Sequence, residues 1–472
     1  MQKQPAQKSY FFDKGYKDVG NILKKTWTTA FRPVTNEFSR VVQLFADNVV
    51  AAIFTVVVDL VVFSIVTAAI LLGVLIFSAV FIAGIAAAGV VVYVFYSLLF
   101  LADFVFCLIQ HISSHCSVCQ NKFRLPYYRC PNPACSNVHT ALRPSVYGIL
   151  KRKCNCGRKL PTTFFNGRQK LEAICPHCNK RVDGGGEHTE IMIPIVGGSN
   201  SGKTCFVNMA IKQIEACASQ NNLVFEYNPT LDDNMGDIRT TMGRGMLPPK
   251  TREERMTYYR FYLTPKGKKV KTLVSLCDVA GEAFDNKDKI GEQIGYKNAN
   301  AFVMVVDPLS IPAFYMDQQK KMNVNNYARS TKALDTVLNN LIVTLESLKC
   351  IDAKTMIKTD VVVVFTKCDI PDLVKRMGPQ AVQQYMFDNN LPSKFVAQNQ
   401  LCEQFLIEYG EANFLNSLRS KFRSIQFFPT SALGHVQNGM KYAPQGVEDP
   451  ILWIIDKISA GINLKNKWGK KI

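Results

Sequence analysis

Residues 197–204 read GGSNSGKT and follow an apolar run, IPIV, that has the pattern of a buried strand. A strand, a glycine-rich turn and the start of a helix, in that order, form a cradle for phosphate. Backbone N–H groups along Gly197, Ser199, Asn200, Ser201, Gly202 and Cys205 can turn onto the anion. Lys203 reaches the β and γ groups, and the Thr204 hydroxyl is placed to hold Mg²⁺.

Four later stretches continue the same chemistry. Residues 271–277 (KTLVSLC) read as a buried strand ending in DVAG. An acid at that strand end, Asp278, can hold Mg²⁺ directly or through water. Three residues on, Gly281 can offer its N–H to a γ-phosphate, a contact that exists only in the triphosphate state. Residues 301–306 form another strand ending at Asp307. Residues 360–365 (DVVVVF) run into Thr366-Lys367-Cys368-Asp369. A carboxylate at Asp369 accepts hydrogen bonds from N1–H and the 2-amino group of guanine, while the stem of Lys367 lies along the base. Adenine has no donors there, and a buried carboxylate left unpaired costs a few kcal/mol. Residues 425–429 lead into TSAL, where the backbone of Ser431 and Ala432 meets the guanine oxygen. For the segment that closes over Mg²⁺ we select Thr251, in LPPKTREER ahead of a strand at 257–263, over Thr240 and Thr241. Arg252 and Arg255 read as a solvated helix face.

Between a long apolar run that ends at residue 109 and the phosphate loop stand four cysteine pairs: Cys116 and Cys119, Cys130 and Cys135, Cys154 and Cys156, Cys175 and Cys178. Pairs this tight aim two sulfurs at one ion, and two pairs complete a tetrahedral zinc site, so two Zn²⁺ ions are expected. Sequential pairing (116, 119, 130, 135 and 154, 156, 175, 178) and nested pairing (outer with outer, inner with inner) both remain open. Neither leaves an open coordination position, so the sites read as structural. His115, His139 and His177 read as polar neighbours. Residues 111–182 hold thirteen Lys and Arg against one acid, Glu172. Two four-thiolate sites of charge about −2 each offset part of that excess. The rest is expected to face anionic lipid, and nucleic acid is not expected as a partner.

These groups need elements to hold them. The chain has 472 residues and carries 56 Lys and Arg against 37 Asp and Glu, a net +19, so acidic partners are favoured. From Val49 to Ile109 there is no Lys or Arg, and the only acids are Asp59 and Asp103. At ~1.5 Å per residue such a run makes roughly 90 Å of helix, about three times the hydrocarbon thickness. Basic residues flank both ends, which places both termini in the cytoplasm and demands an even number of spans. The expectation is an integral membrane protein with a two-span hairpin turning near residues 78–84. Asp59 falls inside the first span, protonated or paired to its helix. The domains expected are a basic segment at 1–48, the hairpin at 49–110, a double zinc-ribbon module at 111–183, an α/β P-loop domain at 187–460 and a basic, solvated tail at 461–472. Residues 183–186 read as a hinge and 308–330 as a surface loop. An amphipathic helix is expected over 327–349 and a helical lobe over 372–422.

GGSNSGKT, DVAG, TKCD and TSAL, in order over residues 191–460, resemble the TRAFAC class of P-loop GTPases. The resemblance implies a mostly parallel sheet flanked by helices, GTP and GDP as ligands, Mg²⁺, and switch segments that respond to hydrolysis. Thr366 stands where the class usually has Asn, which alters a base-side contact. Glu282 stands where many members have the Gln that orients water. A carboxylate there repels the γ-phosphate, so slow intrinsic hydrolysis is expected. With the hairpin and paired cysteines ahead, the chain resembles the bacterial double-GTPase group. That implies a membrane-anchored switch in stress or conflict signalling, acting on a protein effector or a paired GTPase. The rival readings are a membrane-remodelling GTPase and a non-hydrolysing scaffold.

Overall fold

The structure is a computed structural model and describes residues 4–47, 49–116, 118–119, 121–182, 186–227, 257–278, 296–324, 327–348, 357–435, 441–459 and 461–468. The chain divides into two units, Met1–Ile109 with Pro126–Pro176, and Gln110–Leu125 with His177–Ile472.

Three helices dominate the first unit: α1 (Lys14–Ala30), α2 (Arg32–Asp47) and α3 (Val49–Ile109). The expected turn near residues 78–84 is not there, because α3 runs unbroken through them. The physical reason is in the composition: the run has no proline and no polar turn, and isolated glycines such as Gly84 and Gly89 do not end a helix. Charge at the flanks constrains span parity only once separate spans exist. Among the described residues, one helix, Val61–Ile109, is long and apolar enough to cross a membrane, and a bilayer needs only about 20 of its residues. Amphipathic α1 packs along α3, with Trp27 Nε1 donating to Ser78 Oγ at 3.1 Å. The Phe12 and Tyr93 rings meet edge to face at 5.5 Å. The side chain of Asp59 lies outside what the structure describes.

One side of the last turns of α3 is covered by protein, while Leu108 and Ile109 on the other stay exposed. Arg168 Nη1 donates to Asp103 Oδ2 at 2.9 Å, and the Phe164 N–H donates to Asp103 Oδ1 at 2.9 Å. Both partners are almost fully buried, at 0% and 2% exposure. Arg168 also donates to the carbonyls of Leu142 (3.0 Å) and Thr162 (2.7 Å). Phe106 packs on Phe164 and Phe165, at 5.1 and 4.5 Å between ring centres. A buried pair so fully bonded locks an orientation, and losing one partner leaves a stranded charge worth about 3–5 kcal/mol. Asp103 is therefore spent on holding helix to module and does not face lipid. Residues 6–7 add an antiparallel strand to Lys151–Cys154, so the start of the chain belongs to the cysteine module.

The second unit is built on a seven-stranded sheet. Its strands are β1 (Thr189–Gly197), β2 (Leu223–Tyr227), β3 (Thr257–Pro265), β4 (Thr272–Asp278), β5 (Ala301–Val306), β6 (Asp360–Phe365) and β7 (Ile425–Pro429). The spatial order is β2-β3-β4-β1-β5-β6-β7, with β2 and β3 antiparallel to their neighbours and the rest parallel. Parallel strands buried on both faces need continuous apolar runs, which β5 and β6 supply. Alternate residues divide between two cores. Ile191, Ile193 and Ile195 pack with α4 (Lys203–Ala218) and α11 (Asp449–Ile458). On the other face Met304, Val363 and Phe365 pack with α6 (Leu334–Ser347), α9 (Lys394–Glu408) and α10 (Ala412–Lys421). The helical lobe comprises α7 (Pro371–Met377), α8 (Pro379–Asp388), α9 and α10.

Two expectations for this unit are corrected. Residues 308–330 are not simply a surface loop, since they contain α5 (Pro312–Lys321), whose buried Phe314 meets Phe405 and Tyr409 edge to face at 5.1 Å each. The helix expected from 327 begins only at Leu334. The tail is docked, not solvated, at residues 467–468. Trp468 packs against Phe395 at 5.1 Å, and Lys467 pairs with Glu448 (2.9 Å) and Asp449 (2.7 Å). The proposed hinge, 183–186, lies outside the described residues apart from Gly186.

Candidate functional site

Strands β1, β4, β5, β6 and β7 all end on one edge of the sheet, where open α/β sheets place their ligands. Register fixes the depth of each loop: Asp278 pairs with Ile195, Gly197 with Val305, Val306 with Phe365, and Phe365 with Pro429. The predicted phosphate loop, the acid of DVAG, TKCD and TSAL are thereby brought together.

In the phosphate loop, Gly202 has φ +91°, a left-handed conformation that favours glycine, and α4 starts at the next residue. The buried ammonium of Lys203 is preset, donating to the carbonyls of Gly197 (2.9 Å) and Gly198 (2.8 Å). Ser199 is half-buried, Asn200 is exposed on the crest and Ser201 is buried beneath it. Cys205 packs from the first turn of α4 against the core. The amino terminus of α4 adds its dipole to the N–H groups that would face an anion.

Asp278 is fully buried at the end of β4. Thr204 Oγ1 donates to its Oδ2 at 3.1 Å, and its Oδ1 has no hydrogen-bond partner among the described residues. Burial pushes this carboxyl above the usual carboxylate range, against the opposing pull of Lys203 and Thr204. A buried carboxylate oxygen with no donor, beside a hydroxyl and a lysine, fits a divalent cation of the hard, oxygen-binding kind. Thr204 and Asp278 would hold Mg²⁺. Thr251, Gly281 and Glu282, with Thr240, Thr241, Arg252 and Arg255, lie outside the described residues.

On the other side of the site, Asp369 is held at both oxygens. Ser431 Oγ donates to Oδ1 at 2.6 Å and the Tyr327 hydroxyl donates to Oδ2 at 3.2 Å. The backbone of Ser431 exchanges two bonds with Gln445, at 3.0 and 2.8 Å, and Ala432 is buried behind it. Lys367, at φ +58°, donates to Asp307 Oδ2 at 2.6 Å, to the Ala328 carbonyl, and to the Asn200 carbonyl at 3.4 Å. Thr366 is buried, and its Oγ1 donates to the Ser201 carbonyl at 2.8 Å. A threonine where an asparagine was expected therefore braces the phosphate loop. Asp307 and Tyr327 were given no role from sequence. Asp307 carried the same signal as Asp278, an acid at the end of a buried strand, whereas Tyr327 carried none.

A mostly parallel sheet with a lysine-bearing phosphate loop at its carboxyl edge and a buried acid beside it is the arrangement of a P-loop nucleotide-binding domain. Residues 191–405 match the family model described as Double-GTPase 2. No match was found among curated proteins.

The eight paired cysteines fall into two groups, Cys116, Cys119, Cys175 and Cys178, and Cys130, Cys135, Cys154 and Cys156, each with its sulfurs within 4.8 Å of one another. Pairing is thus nested, and both groups are all-cysteine among the described residues. Sulfur separations are 3.5 Å (Cys116–Cys178), 3.6 Å (Cys130–Cys156) and 3.8 Å (Cys135–Cys154). Four sulfurs on a tetrahedral ion at about 2.3 Å stand about 3.8 Å apart, so the groups fit zinc. Asn137 Nδ2 donates to Cys154 Sγ at 3.4 Å, the kind of outer contact that orients a ligand. Burial pushes the Cys116 and Cys130 thiols up to about 12, so a bound cation is what would hold them as thiolates. The purified chain is expected to carry about two zinc ions, and the Cys130→Ser chain about one with a lower melting temperature, by metal analysis and thermal denaturation. Metal content below one ion per chain would refute both sites.

Proposed function

We propose that the chain is a membrane-anchored, zinc-stabilised switch that binds GTP and hydrolyses it slowly. The reading rests on one observation above others: a doubly held Asp369 on the same sheet edge as a preset Lys203. Lys203 and the backbone of residues 197–204 take the phosphates. Thr204 and Asp278, joined by Thr251, hold Mg²⁺, which supplies charge neutralisation at the phosphates. Gly281 senses the γ-phosphate, and Lys367, Asp369, Ser431 and Ala432 surround guanine. Glu282 beside the attacking water sets a low intrinsic rate. Apolar α3 anchors the chain with the nucleotide domain in the cytoplasm, where the basic surface of the cysteine module meets anionic head groups. A double-GTPase domain on such an anchor suits a bacterial stress or conflict signalling system, acting through a protein effector or a paired GTPase.

The full-length chain in detergent micelles, with Mg²⁺, is expected to bind GTP and GDP at least about a hundredfold more tightly than ATP and ADP. It should release phosphate from GTP at a measurable, slow rate. Equal affinity for adenine and guanine nucleotides would overturn the proposal.

A further inference from the structure

Residues 327–332, between α5 and α6, form a strap hydrogen-bonded to two of the loops around the nucleotide site and passing close to a third. The Ala328 carbonyl accepts from Lys367 Nζ, and the Ser330 N–H donates to Asp307 Oδ2 at 2.8 Å. A Cβ at Gly198 would stand 2.4 Å from Ser330 Oγ, so the phosphate loop passes this close only without a side chain. The Arg329 guanidinium lies over the Tyr315 ring at 3.8 Å, fixing the strap to α5. At the start of the strap, half-buried Tyr327 reaches Asp369 Oδ2 with its hydroxyl at 3.2 Å.

A carboxylate has about four lone-pair positions, two on each oxygen. In Asp369 one position on Oδ1 is taken by Ser431 and one on Oδ2 by Tyr327. Each oxygen keeps one acceptor position, and the carboxylate cannot rotate about its Cβ–Cγ bond without breaking a hydrogen bond. Two acceptors in a fixed plane are what a base with two adjacent donors requires. Guanine has such an edge, N1–H beside the 2-amino group, whereas hypoxanthine has only N1–H.

We propose that Tyr327 is a positioning residue for guanine selection, orienting the Asp369 carboxylate so that both of its oxygens meet the base. The inference rests on the reading of Asp369 as the group that contacts the base, and assigns to the strap the ability to tell guanine from hypoxanthine.

The test is the GDP-to-IDP affinity ratio of the full-length chain in detergent micelles, unaltered and as Tyr327→Phe, with ADP measured in parallel. The Phe variant keeps the ring and removes only the donor. The unaltered chain is expected to favour GDP over IDP by about tenfold or more. In Tyr327→Phe, GDP should weaken by about tenfold and IDP by much less, narrowing the preference to a few-fold. A change of equal size for both nucleotides, or an unchanged ratio, would show that the strap only supports the fold and would overturn the inference. Tighter binding of GDP by the variant would make Tyr327 a competitor of the base and overturn it as well. An unaltered chain that holds ADP as firmly as GDP would instead sink the reading of Asp369, and the inference with it.

Discussion

An Asp369→Asn chain is expected to lose affinity for GDP by about a hundredfold and to accept XDP in its place. Guanine and xanthine share N1–H and differ at position 2, where guanine carries an amino donor and xanthine a carbonyl acceptor. Asparagine keeps one acceptor and turns the other oxygen into a donor. Against guanine, that donor faces the 2-amino group, and two buried donors are left unpaired at about 1–3 kcal/mol each. Against xanthine, the same donor meets the carbonyl and the acceptor still meets N1–H. The surroundings tolerate the change, because Ser431 Oγ still finds an oxygen and the Tyr327 hydroxyl can accept from the new amide where it formerly donated. Dissociation constants for GDP, XDP and ADP on both chains decide the matter. A variant with its GDP preference intact would show that position 369 does not contact the base.

The site was legible in sequence wherever its chemistry is local to a strand end. DVVVVF has one reading, a strand buried on both faces, and TKCD must then sit at its carboxyl edge, where the structure places it. The same holds for KTLVSLC with Asp278 and for IPIV with the phosphate loop. What escaped were contacts made across the chain. Thr366 reads as a departure from asparagine until its hydroxyl is found on the Ser201 carbonyl, 165 residues away. Tyr327 has the spacing of an amphipathic helix that in fact starts at Leu334, and only its approach to Asp369 shows what it touches. Cysteine spacing points to two foursomes among eight thiols, but which four go together is decided by contacts far apart in sequence, Cys116 beside Cys178 and Cys135 beside Cys154. Lysines around a tryptophan read the same whether the segment is solvated or docked, and Phe395 settles it for Trp468. The hairpin failed for a different reason, since flanking charge says where ends lie and nothing about whether an unbroken apolar run turns.

Replacing Lys203 should do more damage than any other single change. Two of its three N–H donors already go to the Gly197 and Gly198 carbonyls, at 2.9 and 2.8 Å, so the ammonium shapes the loop itself, in addition to the phosphate contact proposed for it. Lys203→Ala removes a buried cation that, on the proposed reading, offsets phosphate charge and lowers the energy of charge building up during transfer. It also leaves two carbonyls without their donor. Turnover of GTP is expected to fall by about 10²–10³-fold, on the scale of other preorganised charge stabilisers, with GTP affinity down by about a hundredfold. Lys203→Arg should rescue little, because a wider, planar fork cannot occupy the same place between two carbonyls. Zinc content should stay at that of the unaltered chain in both variants, which separates a lost site from a lost fold. Phosphate release measured under saturating GTP gives the answer. Turnover undiminished in Lys203→Ala would mean that hydrolysis happens somewhere other than this sheet edge, whatever else the loop binds.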